Sequence, residues 1–343
     1  MKKKLIFYFL TGIGITGVII LIILYRIIFG LNIKSEKNYQ AIYIPTDATY
    51  TQVLDTLKSH YIIKNLKVFD WVAKKKNYPA HIKPGRYILG KDLSYFGLID
   101  HLRSGKQIPV LITFSNVRTI NQIAGIIGSD IEADSVHILN FLLNGSNYNS
   151  DGFKKENIIS LFIPNTYEFY WNTSAKELYT RMLKEYRKFW NKERLEKAKE
   201  KNLDPPEVAI LASIIDDEVA KPDEKPRIAG VYLNRLKRGI PLQACPTIKF
   251  ALNDFSITRV LKKHLLVESP YNTYKHKGFP PGPIGCPTIE GIDAVLNAEK
   301  HDYLFFAAKA DFSGFHNFSR TLSEHNHYSA LYQKELDKRK IFK

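Results

Sequence analysis

The sequence predicts an α+β protein carried on one N-terminal membrane helix, and three observations lead there. A run without charge, Leu5 to Tyr25, is dominated by Leu, Ile, Val, Phe and Gly. A block from about Tyr43 to Gln107 switches between strand-like and helix-like apolar spacing over a short length. The remainder opens on a long charged helix and contains an apolar helix framed by prolines. Strands and helices mixed in separate blocks of this kind mark an α+β architecture.

The first element sets the compartment. About 20 apolar residues span the hydrocarbon core of a bilayer as a helix. Lys2, Lys3 and Lys4 precede the run, and a positive flank prefers the cytoplasmic side. The run is followed by "YRIIFGLNIK" and not by a small-x-small cleavage site. The expectation is an uncleaved anchor over residues 1–30, with the N-terminus cytoplasmic and everything beyond it exported. A cleaved signal would export the remainder equally. Residues 31–42 read as a polar tether.

The second element is a small α+β module over residues 43–107. "AIYIPTD" reads as a strand entering a turn, and "TYTQVLDTLKSH" places Val53, Leu54 and Leu57 on one helical stripe. "LKVFDWVAKKK" repeats that spacing with Val68, Phe69, Val72 and Ala73. "KPGRYIL" is a Pro-Gly turn into a strand. "LSYFGLIDHLRSG" is a helix with Gly105 near its end.

Residues 108–174 form an intermediate segment, expected to pack on the domain that follows. It holds the strand "IPVLITF", the helix "RTINQIAGIIGSD" and the aromatic tract "LFIPNTYEFYWNTS", which suits inter-domain core. Residues 175–343 are the candidate catalytic domain.

Bulk composition narrows the partners. Fifty Lys and Arg against 34 Asp and Glu leave a formal charge of +16, which suits a polyanion: nucleic acid, an anionic membrane surface or an acidic wall polymer. A Lys-rich surface with no partner is the plain alternative. No nucleic-acid motif of the usual kinds occurs, so no nucleic-acid partner is expected. The two cysteines, Cys245 and Cys286, sit in matching frames, "ACPT" and "GCPT". They are either a disulfide of an exported domain or two free thiols. No CxxC, no Cys/His zinc spacing and no His-Glu-x-x-His pattern is present. His325 and His327 stand two apart, which does not place both on one helical face. No metal and no cofactor is expected.

The segment "LDPPEVAILASIIDDEVAKPDEKPRIAGVYLNRLKRGIPLQACPT" carries the most information. Pro205 and Pro206 suit the first turn of a helix, where a missing N–H costs little. Pro222 marks its end. On the helix between them, Leu211, Ile214, Ile215 and Glu218 share one sector. Asp216 points almost opposite and Asp217 lies on the flank, so one carboxyl of three is expected on the buried face. A carboxyl against apolar neighbours is held in its neutral form. Moving a Glu from about 4.3 to about 6 costs the ionised form roughly 2–3 kcal/mol, and such a group is able to act as a general acid. A frayed-end Glu, or one paired with Lys225 or Arg227, is the plain alternative.

The ordered motifs "ASIIDDE", "YLNRLKRGIPLQACPT", "SPYNTY", "GFPPGPIG" and "GFHNFSRTLSEHN" closely resemble the YceG-like family of endolytic murein transglycosylases, over nearly the whole chain. The resemblance implies an inner-membrane anchor, a LysM-like module at about 43–107 and a YceG-like catalytic domain with Glu218 as the acid/base. It implies cleavage of the bond between N-acetylmuramic acid and N-acetylglucosamine to leave a 1,6-anhydro end, terminating nascent strands. Glycan strands of peptidoglycan are the implied substrate, and peptidoglycan synthases are candidate protein partners. Asp216 stands where the family's first acid is one methylene longer, and Cys245 where the family often has an acid. Asn165, Tyr167, Gln243, Thr247, Tyr271, Asn272, Thr273, Tyr274, His316, Glu324, His325 and Asn326 match family positions and are expected to bind glycan or hold the cleft in shape. Polar aromatics such as Tyr271 and Tyr274 suit stacking on sugar faces. A water-using muramidase and a non-catalytic wall-binding scaffold of the elongation and division machinery are the competing functions.

Overall fold

A computed structural model describes residues 2–219 and 221–339. The ends of the expected anchor segment and catalytic domain, residue 1 and residues 340–343, lie outside the described residues. The chain forms two compact units. The first comprises residues 2–111, Asp130–Ala133 and Glu168–Ser174; the second comprises Ile112–Ser129, Asp134–Tyr167 and the described residues from Ala175 onward. The segment 108–174 is therefore divided between the units rather than belonging to one.

The first unit begins with α1 (Lys2–Phe29). Within it Ile6–Phe29 is a 24-residue span of mean hydropathy 2.5 with no buried share, long and apolar enough to cross a membrane. Strands β1 (Ile33–Ile44), β2 (Ile62–Ile63) and β3 (Gly85–Leu93) form an antiparallel sheet in the order β2-β1-β3. Helices α2 (Tyr50–His60), α3 (Leu66–Lys75) and α4 (Tyr95–Ser104) cover it. Each starts on a side-chain cap, from Thr49, Asn65 and Ser94 respectively. Of the stripes expected of α2 and α3, Val53, Leu57, Phe69, Val72 and Ala73 are buried with Ile42, Ile44, Tyr87 and Leu98 in one core, and Leu54 and Val68 are half-buried at its edge. Gly105 ends α4 at φ 73°, a left-handed cap that glycine adopts without strain.

The division between the units falls within β4 (Val110–Thr113) and β5 (Thr166–Phe169), and the second unit holds α5 (Ile120–Gly128), α6 (Ser135–Leu143), α7 (Ala175–Phe189), α8 (Lys192–Glu200), α9 (Pro205–Glu218), α10 (Lys225–Lys237), α11 (Cys245–Leu252) and α12 (Ile289–Leu296). The hairpin β6 (Phe305–Ala308) and β7 (His316–Ser319) and the helix α13 (Leu322–Lys338) close it. The core is centred on α9, against which α8, α10, α11 and α12 all pack.

Candidate active site

Helix α9 is built to hold a carboxyl at its end. Asp204 caps it and Glu207 returns the bond, Asp204 Oδ1 accepting the Glu207 N–H at 2.8 Å and Glu207 Oε2 accepting the Asp204 N–H at 2.9 Å. Pro205 and Pro206 fill the first turn. Every residue from Val208 to Ile215 is buried. The helix stops at Val219, which is extended at φ −137°. Three acids occupy its last turn, and the structure treats each differently.

Asp216 was expected on the exposed face and instead lies packed, its side chain only 15% exposed. The helical wheel assumes one buried face, whereas α9 has helices on several sides. Asp216 accepts from Lys225 Nζ at 2.8 Å, Thr288 Oγ1 at 2.9 Å and the Thr288 N–H at 2.7 Å. Asp217 lies on the flank, paired through both oxygens with Arg118. Glu218 takes neither Lys225 nor Arg227, whose guanidinium pairs with Glu299.

Glu218 is the unpaired member. Its Oε2 is shielded from solvent and has no hydrogen-bond partner. Burial pushes its pKa up to about 7; the charge of Lys249 works against the rise and that of Asp217 adds to it. A position in the last turn also turns the negative end of the helix toward the group. Tyr232 of α10, Cys245 of α11 and Tyr274 lie within electrostatic reach, since a charge on Glu218 raises the pKa of each. Tyr232 is 1% exposed, and its hydroxyl likewise has no partner. Cys245 Sγ lies 3.2 Å from the Tyr274 hydroxyl. The site therefore offers one carboxyl able to change protonation near neutral pH in an apolar, aromatic wall.

The remaining expected residues divide into those that turn inward and those that face out. Asn272 is fully buried, its amide donating to the carbonyls of Leu265 and Val267 at 2.9 Å each. Thr273 Oγ1 accepts the Ala244 N–H at 3.0 Å and meets Thr247 Oγ1 at 2.8 Å, both threonines being buried. These three side chains were expected to bind glycan or hold the cleft in shape; in the structure their polar groups bond within the segment Leu265–Thr273 and between it and the start of α11. Gln243, at φ 52°, donates its N–H to the Thr273 carbonyl and accepts from the Arg235 guanidinium. Tyr271 is half-buried against Phe250, and burial pushes its pKa up to about 12. Asn165 is exposed with Oδ1 accepting the Thr166 N–H, while Tyr167 is buried and donates to the Ile163 carbonyl at 2.7 Å.

The last motif spreads over two elements. His316 in β7 pairs through Nδ1 with the buried Glu224 at 2.8 Å, and its N–H donates to the same carboxylate. Glu324 is exposed at the start of α13, where it accepts from the Arg320 and Thr321 N–H groups. His325 stacks on Phe305 with ring centroids 5.3 Å apart, and Arg235 lies over that same ring. Burial and the Arg235 charge lower the His325 pKa. Asn326 and His327 are exposed. His325, half-buried, and His327, exposed, thus diverge on α13. Among the described residues no group of three His, Cys, Asp or Glu is placed to hold a metal. Cys245 and Cys286 are free thiols; Cys286 donates to the Phe162 carbonyl at 2.8 Å.

Arg235, Tyr232, Lys249 and Glu224 were missed from the sequence. Lys249 had a signal: it follows Cys245 by one helical turn and so shares its face. A pocket of about 300 Å³ opens beside the same turn, lined by Arg118, Asp216, Asp217, Val219, Cys286 and Thr288 among others, but not by Glu218.

Fold and site together define an α+β protein with an N-terminal membrane-length helix and, at the end of a buried helix, a carboxyl whose pKa burial raises to about 7. The chain belongs to the YceG-like family, whose sequence profile matches residues 42–330. It is 30% identical over 309 residues to the endolytic murein transglycosylase of Bacillus subtilis strain 168, covering 85% of this chain and 84% of that protein. It is 28% identical over 317 residues to the endolytic murein transglycosylase of Streptococcus pneumoniae strain D39, covering 80% of this chain and 55% of that longer protein. The crystal structure of a YceG-like protein from Listeria monocytogenes superposes with a TM-score of 0.56 at 27% identity, over 85% of this chain and 99% of that one.

Proposed function

We propose that this chain is an endolytic peptidoglycan lytic transglycosylase in which Glu218 is both acid and base. The observation that carries the reading is the Glu218 carboxyl at the end of α9, half-buried with its Oε2 shielded and unbonded, its pKa raised by burial to about 7. Protonated Glu218 donates to the glycosidic oxygen between N-acetylmuramic acid and N-acetylglucosamine. The bond from that oxygen to C1 breaks and positive charge develops at C1. The carboxylate then takes the proton of the C6 hydroxyl, whose oxygen closes on C1 to give the 1,6-anhydro end. Glu218 finishes protonated and no water is consumed.

A hydrolase of the usual design needs a second carboxyl free to act on water or on C1. Asp216 and Asp217 are both engaged, with Lys225 and Thr288 and with Arg118, which favours the lyase. Tyr271 and Tyr274 stack on sugar, while Asn272, Thr273 and Thr247 brace the segments that carry them. Helix α1 anchors the chain with its N-terminus cytoplasmic and the residues beyond it outside. The unit containing residues 43–107 acts as a LysM-like glycan grip, and a peptidoglycan synthase is the natural supplier of nascent strands.

Digestion of isolated peptidoglycan, read by mass spectrometry, tests the reading. Wild type should release anhydro-muramic ends and Glu218→Gln none. Reducing ends would make the enzyme a muramidase, and normal cleavage by Glu218→Gln would remove Glu218 from the chemistry.

A further inference from the structure

We propose that Asp216 is a positioning residue for Glu218, the centre of a clasp that fixes the last turn of α9 to the first turns of α10 and α12. The proposal rests on the Glu218 reading above. It starts from what Glu218 lacks. The buried Oε2 has no hydrogen-bond partner, so nothing bonded to that oxygen fixes the carboxyl. Its placement has to come from the backbone of a helix end, where frayed geometry is the rule.

The clasp supplies that constraint. Asp216 Oδ1 accepts from Lys225 Nζ at 2.8 Å and from Thr288 Oγ1 at 2.9 Å, and Oδ2 accepts the Thr288 N–H at 2.7 Å. Lys225 is nearly buried, its side chain 9% exposed. Thr288 is at the same time the cap of α12, its Oγ1 accepting the Gly291 N–H at 2.9 Å. The Asp216 carboxylate therefore sits at the positive end of α12 as well as against an ammonium.

Gly291 shows that the seat is shaped for this group. A Cβ at residue 291 would lie 2.5 Å and 2.6 Å from the two Asp216 oxygens. Gly291 lies in the first turn of a helix and is not among the positive-φ glycines, so a side chain is excluded there by the carboxylate and not by backbone conformation. Other titratable groups around the clasp are Glu290, 3.8 Å from Lys225, and Cys286, whose neutral thiol is pushed up by burial and further by Asp216. Around Glu218 itself stand Lys249, Asp217, Tyr232, Cys245 and Tyr274.

The test is glycan cleavage by the full chain across pH, with wild type, Glu218→Gln, Asp216→Asn, Gly291→Ala and Lys225→Met. Gly291→Ala alters no charge but sets a Cβ against the Asp216 carboxylate, so a merely structural seat predicts a lower melting temperature with unchanged kinetics in the folded protein. A positioning seat predicts kcat lower by about 10- to 100-fold with KM little changed, since small misplacements of reacting groups cost that much. The descending limb of kcat/KM should also move to lower pH, because a loosened carboxyl gains water. Lys225→Met opens the clasp from the other side and should act in the same direction if Asp216→Asn does not fold. Activity in Glu218→Gln would overturn the Glu218 reading. An inert Glu218→Gln beside folded clasp variants with wild-type kcat and pH limb would overturn this proposal alone.

Discussion

Two glutamates of the second unit stand at opposite ends of two helices. Glu324 lies in the first turn of α13, exposed, accepting the N–H groups of Arg320 and Thr321. Those backbone donors hold its carboxyl below the usual range. Glu218 lies in the last turn of α9, where no donor meets Oε2 and burial lifts the group to about 7. The residue type is the same, yet one is held as an anion where it starts a helix and the other titrates near neutral pH at a helix end. Water, backbone donors and helix polarity decide between them.

The sharpest way to break the contrast is to remove each acid's function. Glu218→Gln keeps shape and hydrogen-bonding size but cannot carry the proton, so glycan cleavage should fall by at least about 10²–10⁴-fold. Circular dichroism and thermal unfolding should show an intact fold. A retained rate would mean that Glu218 differs from Glu324 in environment without differing in role.

The second test is thermodynamic. Glu218 has a folded pKa of about 7 against an ordinary 4.5, so the folded state binds the extra proton. Stability from this group is full below about 4.5, falls as pH rises, and levels off above about 7, a loss of up to roughly 3 kcal/mol. Glu218→Gln has no such titration. Urea unfolding at pH 5 and pH 8 should therefore show the variant gaining on wild type as pH rises. Equal pH dependence in the two proteins would place the wild-type carboxyl in water.

Smaller still is the effect at the other helix. Thr321 caps α13 and shares a capping box with Glu324. Thr321→Ala should cost about 1 kcal/mol, read by thermal unfolding, and leave cleavage unchanged. A large loss of cleavage would draw the start of α13 into the site after all.

The same contrast shows what was legible beforehand. The prolines framing α9 and the spacing of Leu211, Ile214 and Ile215 gave the helix and its buried face, and all three are fully buried. Asp216 was not legible, because a wheel has no knowledge of how many neighbours surround a helix. Nor was the inward turn of Asn272, whose partners are backbone carbonyls of Leu265 and Val267 and leave no mark on side-chain pattern. Thr321-x-x-Glu324 did leave a mark, the signature of a helix start. It explains why that glutamate points to its own backbone. Tyr232 looked like an ordinary helix residue and Lys249 was marked only by its spacing from Cys245; packing brings both within electrostatic reach of Glu218.

Lys249 gives the finest adjustment. Its charge favours the ionised form of Glu218 and so offsets part of the burial that holds the proton on. Lys249→Met removes the charge while keeping an unbranched chain on α11. The Glu218 pKa should then rise further, so the descending limb of kcat/KM, which reports the free enzyme's acid, moves to higher pH. The stability loss between low and high pH should widen in the same variant, because the folded-state pKa has moved further from the unfolded one. Both shifts must agree in sign, since one proton equilibrium produces them. A limb that moves to lower pH, or a pH–stability curve that does not follow it, would mean that Lys249 acts on substrate rather than on the carboxyl.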